Sequence, residues 1–421
     1  MKNYKYLIIG NSSSCIGCIE GIREVDRKNK IAVFSKEPYF AYSRPIITYY
    51  LEGNVPFEKI YLREENFYEK NNVDLYKGVE VTKIDFENKY VSTNFENISY
   101  EKLLIGVGGI PIIPQIKGIE RENVFTFTKI DDAIKVREKV KSEKIKKVCI
   151  LGGGLIGLKV AEAFLKLNIN VIIVELADRI LSTVLDEESS KIMQKFITDN
   201  GVEILTSLTI SEIEGDAKNG RKVKQVILNN GEKLSCDMVI IAIGVRPNLS
   251  LVENSKIKIG RGILVDKFMR TNIEDVYSAG DVAEVYDFIQ DKQRNILTVP
   301  NAYYGGRIAG FNMAGRTAEY DFGCNMNSIS FLGYPVISFG DVLSSEKYEI
   351  LKIYNDGFYR KILLKDNFVK GAIFAGYIER CGIIFGLMKN KINVSDFKDK
   401  LLFEDFGLID IPFELRKRIL K

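Results

Sequence analysis

The stretch KVCILGGGLIGLKVAEAFLKLNINVIIVE (residues 147–175) decides the fold. Its apolar runs and glycines predict a strand, a tight turn, a helix and a second strand that ends on Glu175. In such a unit Gly152 permits the turn, Gly154 lets the backbone approach a pyrophosphate, and Gly157 lets the helix pack on its strand. The pattern indicates a dinucleotide site at the helix N-terminus, where N–H donors point at phosphates. The alternative is an ordinary strand-helix-strand crossover that is rich in glycine.

Glu175 supplies the acid that a dinucleotide site places at the end of its second strand. It stands 18 residues after Gly157, where it can accept hydrogen bonds from both hydroxyls of a ribose. Because a carboxylate repels a 2′-phosphate, the sequence favours NADH over NADPH. Arg179, four residues further on, could reach an adenylate phosphate or form a surface ion pair with Asp178 or Glu175.

A second unit of the same plan opens the chain, in YLIIGNSSSCIGCIEGIREVDRKNKIAVFS (residues 6–35). Two such units predict two bound nucleotides. Gly10 provides the first turn, but Ser12 and Cys15 stand where the second and third glycines are expected, and Gly17 lies beyond them. Ser12 places a Cβ near the phosphates and offers a hydroxyl donor in return.

The second strand of this first unit ends on Ser35 rather than on an acid. An adenosine ribose is therefore expected to be held by the Ser35 hydroxyl, or by Glu37 two positions further on. Both side chains can bind a ribose hydroxyl, since a serine hydroxyl donates and accepts hydrogen bonds and a carboxylate accepts them. The sequence leaves the choice open.

Composition excludes several classes of protein. At 421 residues the chain is long enough for two or three domains, and a charged fraction of 28% with a net charge of +4 predicts no nucleic-acid partner. The chain enters a strand-like run at residue 4, which leaves no room for a signal region, and no transmembrane segment of about 18 apolar residues is found. A cytoplasmic protein is expected.

The chain contains no histidine, which excludes an imidazole base, a histidine-ligated metal and a Ser-His or Cys-His couple. Its six cysteines include one C-x-x-C pair, Cys15 and Cys18, which has too few ligands for an iron–sulfur cluster or a structural zinc. The pair has two interpretations: thiols activated by a helix N-terminus, or small residues packed on a helix face. No metal site is predicted, and the chemistry is expected to come from a cofactor.

Further apolar runs end in glycine. LLIGVGGIPIIP (103–114) and VIIAIGVRPN (239–248) predict buried strands that end in glycine-proline turns. A third run, TNIEDVYSAGD (271–281), delivers Gly280 and Asp281 to the end of a strand, which is where ligands bind in an open parallel sheet. Asp281 could instead cap a following helix.

The order of these glycines resembles one superfamily. A fingerprint at Gly10, a glycine strand at Gly106, a second fingerprint at Gly152, another glycine strand at Gly244 and a Gly-Asp pair at 280–281 are similar to the FAD- and NAD-binding pyridine nucleotide-disulfide oxidoreductases. The likeness covers essentially the whole chain.

The resemblance implies an α/β fold with two Rossmann-like dinucleotide-binding domains, of the three-layer ββα type, and a C-terminal α/β domain. The FAD-binding domain would span residues 1–115 and 240–318. It would enclose an NAD-binding domain at 116–239, and the C-terminal domain would span 319–421.

Three segments indicate a particular group within this superfamily: Tyr42-Ser43-Arg44-Pro45, PNAYYGGRIAGFNMAG (300–315) and NSISFLGYPVISFG (327–340). They resemble the single-chain NADH flavoenzymes of the rubredoxin, ferredoxin and nitrite-reductase type. This resemblance implies binding residues for FAD at Gly10, Ser12, Cys15, Ser35, Lys36, Arg44, Pro45, Val81, Gly106, Gly280, Asp281 and Asn301, and for NAD at Gly152, Gly154, Leu155, Ile156, Gly157, Glu175 and Gly244. Asp281 would bind the ribityl chain, Arg44-Pro45 would line the flavin, and the helix near Asn301 would point its N-terminus at the flavin ring.

Some positions depart from these relatives. Ser43 stands where thiol-dependent relatives carry a single redox cysteine, and a hydroxyl cannot relay two electrons as a thiolate can. No catalytic side chain is therefore predicted, and hydride transfer is left to FAD. Leu155 replaces an aromatic gate over the nicotinamide pocket, Lys159 replaces a glutamate, and Tyr49 replaces a lysine that some relatives have near the flavin.

The C-terminal region is predicted to be helical. Residues 378–406 predict two amphipathic helices, and LRKRILK (415–421) forms a basic tail. Such a tail could dock a membrane or an acidic partner, or it could be the solvated end of the last helix.

These features predict an FAD-dependent NADH oxidoreductase that passes electrons between NAD(H) and a separate one-electron carrier, such as rubredoxin or a small ferredoxin-like iron–sulfur protein. Two alternatives stay open: a peroxide-forming NADH oxidase, and an NADH-sensing flavoprotein scaffold. A homodimer is compatible with the sequence, which fixes neither the oligomeric state nor the direction of electron flow.

Overall fold

The computed structural model describes residues 1–216, 220–355 and 357–419. The last two residues of the predicted basic tail, 420 and 421, lie outside this range. The described chain divides into two compact units. Unit 1 comprises Met1–Ile47, Val55–Ile110 and Val245–Cys324, and unit 2 comprises Thr48–Asn54, Pro111–Gly244 and Asn325–Lys421. This division groups the predicted NAD-binding segment with the C-terminal segment, and the four sequence-based domain bounds stay a prediction.

The strands are, in chain order, β1 (Lys2–Ile9), β2 (Ile31–Ser35), β3 (Val73–Lys77), β4 (Val81–Asp85), β5 (Tyr90–Thr93), β6 (Asn97–Ile105), β7 (Gly109–Pro111), β8 (Val124–Thr126), β9 (Lys147–Leu151), β10 (Asn170–Val174), β11 (Val202–Leu205), β12 (Ile210–Gly215), β13 (Val223–Leu228), β14 (Lys233–Ser235), β15 (Met238–Ile241), β16 (Val245–Pro247), β17 (Ile263–Leu264), β18 (Val276–Ser278), β19 (Ala283–Asp287), β20 (Lys292–Arg294), β21 (Met326–Phe331), β22 (Tyr334–Gly340), β23 (Glu349–Asn355), β24 (Phe358–Lys365) and β25 (Phe368–Ala375).

The helices are α1 (Ser13–Val25), α2 (Ile47–Glu52), α3 (Phe67–Lys70), α4 (Ile130–Ser142), α5 (Leu155–Lys166), α6 (Glu187–Asp199), α7 (Val299–Met313), α8 (Cys381–Lys389) and α9 (Phe413–Ile419). Short 3-10 helices occur at Arg44–Ile46, Phe57–Ile60, Ser345–Lys347, Lys398–Lys400 and Leu408–Asp410.

Unit 1 is built on a parallel sheet in the order β3-β2-β1-β6, and β18 also pairs with β6 in parallel. Antiparallel strands β5 and β4 extend it from β6. The central strand β1 is covered on both faces, which explains its continuous apolar run, and Leu7 and Ile8 are fully buried.

Helices α1 and α7 of unit 1 pack at backbone contact. A Cβ added to Gly17 or Gly21 would overlap a carbonyl oxygen of α7, and a Cβ added to Gly306 or Gly310 would overlap one of α1. Gly306 and Gly310 of the 300–315 segment therefore serve this close crossing, which a side chain of any size would force apart.

Unit 2 holds a parallel sheet in the order β11-β10-β9-β15-β8, with α5 packed on β9 and β10. It also contains the antiparallel sheets β12-β13-β14 and β21-β22-β25-β24-β23. Asp186, which caps α6 by accepting the Ser189 N–H at 2.9 Å, also binds Lys361 and the Tyr359 hydroxyl of β24, each at 2.8 Å. This buried contact fixes the C-terminal sheet to α6. The sheets of both units confirm the predicted α/β fold class.

One sequence-based expectation is wrong. Residues 390–406 form turns and the 3-10 helix Lys398–Lys400 rather than a second amphipathic helix. The chain leaves α8 through Lys391 at φ +48°, and Arg360 on β24 then binds the Leu402 and Phe403 carbonyl oxygens at 3.2 and 2.8 Å.

Of the two interpretations of Asp281, the helix cap is excluded, because a turn leads from Asp281 into strand β19.

Candidate functional site

In unit 2, the turn after β9 requires glycine at two positions. Gly152 has φ +115°, its N–H binds the Val174 carbonyl oxygen at 2.8 Å, and an added Cβ would lie 2.5 Å from the Ala242 carbonyl oxygen. A Cβ on Gly157 would overlap the Gly152 carbonyl oxygen. The glycine turn is thus held against β10, β15 and its own helix, as the fingerprint predicts.

Gly154 differs from these two glycines because it faces open space. It caps the N-terminus of α5 at an ordinary φ of −83°, and an added Cβ would meet no atom within 4 Å. The first turn of α5 carries no acidic residue, and Leu155 and Ile156 there are half-buried. An open helix N-terminus with no acidic residue in its own first turn fits the pyrophosphate of a dinucleotide.

Glu175 is fixed at the end of β10 next to this turn. Its backbone N–H binds the Leu205 carbonyl oxygen at 2.8 Å. Its carboxylate accepts the Gly153 N–H at 2.6 Å and the Ala177 N–H at 2.8 Å. Each carboxylate oxygen retains a further lone pair for a ribose hydroxyl.

Two other predicted positions in unit 2 have clear contacts. Arg179 pairs with Asp178 at 2.8 Å, which is the surface ion pair among its sequence-based alternatives. Gly244 follows β15 at φ +108°, and its carbonyl oxygen accepts the Ile112 N–H at 3.0 Å. Since β15 lies beside β9, Gly244 and Gly152 occur at the same end of the sheet.

In unit 1, three predicted glycines converge on the first turn of α1. Gly10 has φ +113° and leaves no room for a Cβ against the Gly106 carbonyl oxygen. A Cβ on Gly106 would lie 2.8 Å from the Cys15 Sγ, and one on Gly280 would lie 2.8 Å from the Ser14 Oγ. The carboxyl ends of strands β1, β6 and β18 therefore meet at the first turn of α1, as in a nucleotide-binding sheet.

Ser12 and Cys15 take the places of the missing glycines in different ways. Ser12 caps α1, and its carbonyl oxygen accepts the N–H groups of Cys15 and Ile16 at 2.9 and 3.0 Å. Cys15 is fully buried, and burial raises the pKa of its thiol to about 11. Burial also raises the pKa of the Cys18 thiol, whose Sγ lies 3.6 Å from the Met313 Sδ. These contacts support the packing interpretation of the pair.

The end of β2 is held by contacts within unit 1. The Ser35 hydroxyl donates to the Glu37 carbonyl oxygen at 2.8 Å, and exposed Lys36 pairs with Glu80 at 2.7 Å. Val81, the first residue of β4, is buried. The structure thus places Ser35, Lys36 and Val81 close to one strand end, and their contacts with FAD stay a prediction.

The Arg44-Pro45 segment begins a 3-10 helix, and Arg44 binds the Glu37 carboxylate at 3.1 Å. Burial lowers the pKa of the guanidinium, but the charges of Tyr42, Glu37 and Asp281 outweigh burial and raise it. Burial raises the pKa of the Asp281 carboxyl, and the Arg44 charge opposes that shift only in part. Arg44 is therefore a cation bound to Glu37, and its charge also acts on Asp281.

Asn301 lies in the first turn of α7, and both polar atoms of its amide are hydrogen-bonded inside unit 1. Its Nδ2 donates to the Thr298 Oγ1 at 2.6 Å and to the Cys324 carbonyl oxygen at 2.9 Å, and its Oδ1 accepts the Tyr320 hydroxyl at 2.6 Å. The side chain fixes the start of the helix, and its contact with FAD stays a prediction, as does the approach of the helix N-terminus to the flavin.

Sequence reasoning noted Lys159 and Tyr49 separately and missed that they meet. The Lys159 ammonium lies 5.1 Å from the centre of the Tyr49 ring, donates to the Ser330 carbonyl oxygen at 3.0 Å and forms an ion pair with Glu162. The only signal in the sequence was that each position carries a residue different from the one found in a group of relatives.

Comparisons with known proteins agree with this geometry. Residues 4–306 match the family described as pyridine nucleotide-disulphide oxidoreductase, and residues 326–392 match the one described as rubredoxin NAD+ reductase C-terminal domain. Within the residues that the structure describes, no helix is long and apolar enough to cross a membrane.

Individual relatives are similar over most of the chain. A nitrite reductase (NAD(P)H) of Bacillus subtilis (strain 168) is 29% identical over 94% of the chain, which spans only 48% of that protein. An assimilatory nitrate reductase electron transfer subunit of the same organism is 28% identical over 89% of the chain, which again spans only 48% of the relative. An NADH oxidase of Methanocaldococcus jannaschii is 30% identical, with 75% of the chain and 71% of the relative covered. The crystal structure of NADH:rubredoxin oxidoreductase from Clostridium acetobutylicum superposes with a TM-score of 0.77, at 26% identity, covering 94% of the chain and 98% of that protein.

Proposed function

Because the chain belongs to the pyridine nucleotide-disulphide oxidoreductase family, whose members use FAD and NAD(H), we propose that it oxidises NADH and passes the electrons to a separate one-electron carrier. Rubredoxin or a small ferredoxin-like iron–sulfur protein is the proposed acceptor. Bound FAD supplies the conversion between a two-electron hydride donor and single electrons.

The chain's own residues would hold NADH and FAD in position. Gly152, Gly154 and Glu175 are proposed to hold NADH in unit 2, where the open turn and the fixed carboxylate suit a pyrophosphate and a ribose. The turn at Gly10 and the half-buried Asp281 are proposed to hold FAD in unit 1. Holding reactants in a productive geometry is itself a large part of catalysis.

The choice of a one-electron carrier as the acceptor rests on the lack of a usable redox thiol. Ser43 occupies the segment where thiol-dependent relatives carry a cysteine, and its N–H is bound to the Ile60 carbonyl oxygen at 2.8 Å. Of the six cysteines, five are buried and Cys381 alone is partly exposed. The match of residues 326–392 to a rubredoxin reductase domain supports the same choice.

The test is anaerobic steady-state turnover of the purified protein with NADH and either oxidised rubredoxin or oxidised ferredoxin. Carrier reduction much faster than oxygen uptake in air is expected. The similarity to an NADH oxidase of Methanocaldococcus jannaschii supports a peroxide-forming NADH oxidase as the second candidate, and rapid oxygen consumption without carrier reduction would favour it. Very slow turnover with every acceptor would favour a sensing role. A cytoplasmic location and a homodimer belong to the proposal as well.

A further inference from the structure

Two large apolar side chains are exposed near the C-terminal end of unit 2. Ile409, in the middle of the 3-10 helix Leu408–Asp410, is 83% exposed, and Phe413, the first residue of α9, is 62% exposed. Ile411, which lies between them in the chain, is buried. Single exposed apolar residues are ordinary, but an exposed pair only four positions apart on one short segment points to a contact surface.

Hydrogen bonds on both sides of Ile409 fix its exposure. The Asp410 carboxylate accepts the Gly407 N–H at 3.0 Å. The Arg416 guanidinium of α9 donates to the Ile409 carbonyl oxygen at 3.4 Å and to the Ile411 carbonyl oxygen at 3.1 Å. These contacts hold the 3-10 helix against α9, so the Ile409 side chain projects from a defined surface.

Basic side chains of α9 lie next to the exposed pair. The Lys417 ammonium lies 4.3 Å from the centre of the Phe413 ring, one helical turn away. Arg418, one residue further on, is exposed and donates to the Asn390 carbonyl oxygen at the end of α8 at 3.1 Å. The surface therefore combines apolar and cationic side chains.

The positive charge of α9 is only partly balanced. Its residues include three cations and one acid, Glu414, which gives a net charge of +2. Glu414 lies 3.3 Å from Lys417, and both side chains are more than half exposed, so this pair is weak. Arg416 and Arg418 bind carbonyl oxygens and, within the described residues, no carboxylate. The helix thus attracts negatively charged groups.

An anionic bilayer fits this surface better than a protein partner does. Apolar side chains beside Lys and Arg are typical of segments that lie in the headgroup region of a membrane. A stable protein interface needs roughly 800 Å² on each partner, whereas two side chains of this size offer at most about 400 Å². A bilayer requires no matching cavity, because single apolar side chains can enter the boundary between headgroups and acyl chains.

We infer that Ile409, Phe413, Lys417 and Arg418, here called the α9 surface, attach the protein reversibly to an anionic bilayer. The two apolar side chains enter the headgroup region, and the two cations bind the negatively charged headgroups. The attachment requires neither FAD nor an electron carrier, so it is tested separately from the proposed function.

The first test is co-sedimentation of the full-length protein with vesicles of phosphatidylcholine that contain about one third phosphatidylserine. Binding is expected, and high salt or pure phosphatidylcholine vesicles should weaken it. The double variant Ile409→Ser/Phe413→Ser should bind about tenfold or more weakly, because the buried apolar area is lost. Phe95→Ser is the matched control, since Phe95 is 76% exposed in unit 1 and should leave binding unchanged.

A second pair of variants tests the cations. Lys417→Gln/Arg418→Gln should weaken vesicle binding about twentyfold, since each cation near an anionic surface contributes about a factor of five. Lys191→Gln/Lys195→Gln is the control, because it removes the same charge from exposed positions of α6 in the same unit. Equal losses in both double variants would show general adsorption of a protein with a net charge of +4 and would overturn the inference.

A tryptophan reporter tests insertion directly. The chain contains no tryptophan, so Ile409→Trp introduces a single fluorophore at an exposed position. Its emission should shift to the blue with anionic vesicles and be quenched by brominated lipids, whereas the emission of Phe95→Trp should not change. If Ile409→Ser/Phe413→Ser fails to fold, Ile409→Trp decides.

Three results would overturn the inference. They are a wild-type protein that does not bind the anionic vesicles, unchanged binding in Ile409→Ser/Phe413→Ser, and an unshifted emission in Ile409→Trp. Absent vesicle binding together with salt-sensitive binding of oxidised ferredoxin, lost in Lys417→Gln/Arg418→Gln, would assign the α9 surface to an acidic protein instead.

Discussion

The Lys159 ammonium lies 5.1 Å from the centre of the Tyr49 ring, so helices α5 and α2 meet through a cation–π contact. Glu162, which is 4% exposed, binds the ammonium groups of Lys159 and Lys166 and accepts the Leu332 N–H at 3.2 Å. The helix that carries the proposed NAD turn is therefore tied to α2 and to the C-terminal sheet by one charged cluster.

Replacing Tyr49 tests the ring contact. Tyr49→Leu removes the aromatic face and is expected to lower the free energy of unfolding by about 1 kcal/mol, as measured by urea denaturation. Tyr49→Phe keeps the face and should stay within about 0.3 kcal/mol of wild type. Equal losses in both variants would mean that the hydroxyl, and not the ring, makes the stabilising contact.

Lys159→Met tests the buried ion pair through its pH dependence. Burial raises the pKa of the Glu162 carboxyl, but hydrogen bonds from Lys159 and Lys166 outweigh burial and hold it below its ordinary 4.5. A depressed pKa stabilises the fold above the unfolded-state pKa, and that contribution is lost as the pH falls through the folded-state pKa. The variant should lose about 2 kcal/mol at pH 7, and the difference from wild type should shrink as the pH falls below about 4.

Urea denaturation at pH 7 and at low pH measures this difference. Lys191→Met is the control, since Lys191 forms an exposed pair with Glu187 on α6 and should lose no more than about 0.5 kcal/mol. A loss for Lys159→Met that is independent of pH would assign the effect to packing of the alkyl chain.

Two glycines of one turn are expected to respond in opposite ways. Gly157→Ala should lower stability strongly, because its Cβ would overlap the Gly152 carbonyl oxygen. Gly154→Ala should keep wild-type stability, because its Cβ meets no protein atom, yet weaken NADH binding by about tenfold or more by filling the space of the pyrophosphate. Thermal unfolding and NADH titration measure the two effects. Undiminished NADH affinity in Gly154→Ala would place the pyrophosphate elsewhere.

Glu175→Gln should raise KM for NADH about tenfold and leave kcat within about twofold, because a uniform binding contact is weakened. Removal of the negative charge should also narrow the preference for NADH over NADPH. Steady-state kinetics with both nucleotides measure these changes. Glu203→Gln serves as the control, since Glu203 is half exposed and lies 3.8 Å from Lys147. An unchanged ratio of the two KM values would contradict the assignment of Glu175 to the ribose.

The cysteines are expected to differ in reactivity. Cys15, with its pKa raised to about 11 by burial, and Cys18 should resist iodoacetamide in the native protein at pH 8, whereas the partly exposed Cys381 should react. Mass spectrometry of peptides measures the labelling. A Cys18→Ala variant that loses NADH-dependent electron transfer while staying folded would revive the redox interpretation of the C-x-x-C pair.

The parts predictable from sequence are those fixed by neighbouring residues. Gly152 and Gly157 are required by a turn whose strand, loop and helix are contiguous in the chain. The fingerprint can therefore be recognised in the amino-acid sequence. The buried parallel strands β1 and β9 are equally visible, because strands covered on both faces read as continuous apolar runs.

The features that the sequence did not predict depend on contacts between different segments of the chain. Lys159 meets Tyr49 across 110 positions of sequence, and no local pattern predicts that contact. Residues 390–406 have helical periodicity, but Arg360 binds two of their carbonyl oxygens and holds an irregular course. The contacts of Glu37 also depended on side-chain geometry, although its two partners lie only 5 and 7 residues away.

The proposed function requires that NADH reduce a flavin in this protein and that a separate carrier reoxidise it. In an anaerobic stopped-flow experiment, the purified yellow protein is mixed with NADH, and oxidised rubredoxin or ferredoxin is added in a second mixing step. Rapid loss of the flavin absorbance near ~450 nm is expected, followed by rapid recovery with the carrier. A protein that purifies without flavin, or whose flavin is not bleached by NADH, would contradict the proposed function, and recovery only on admission of air would replace the carrier with oxygen.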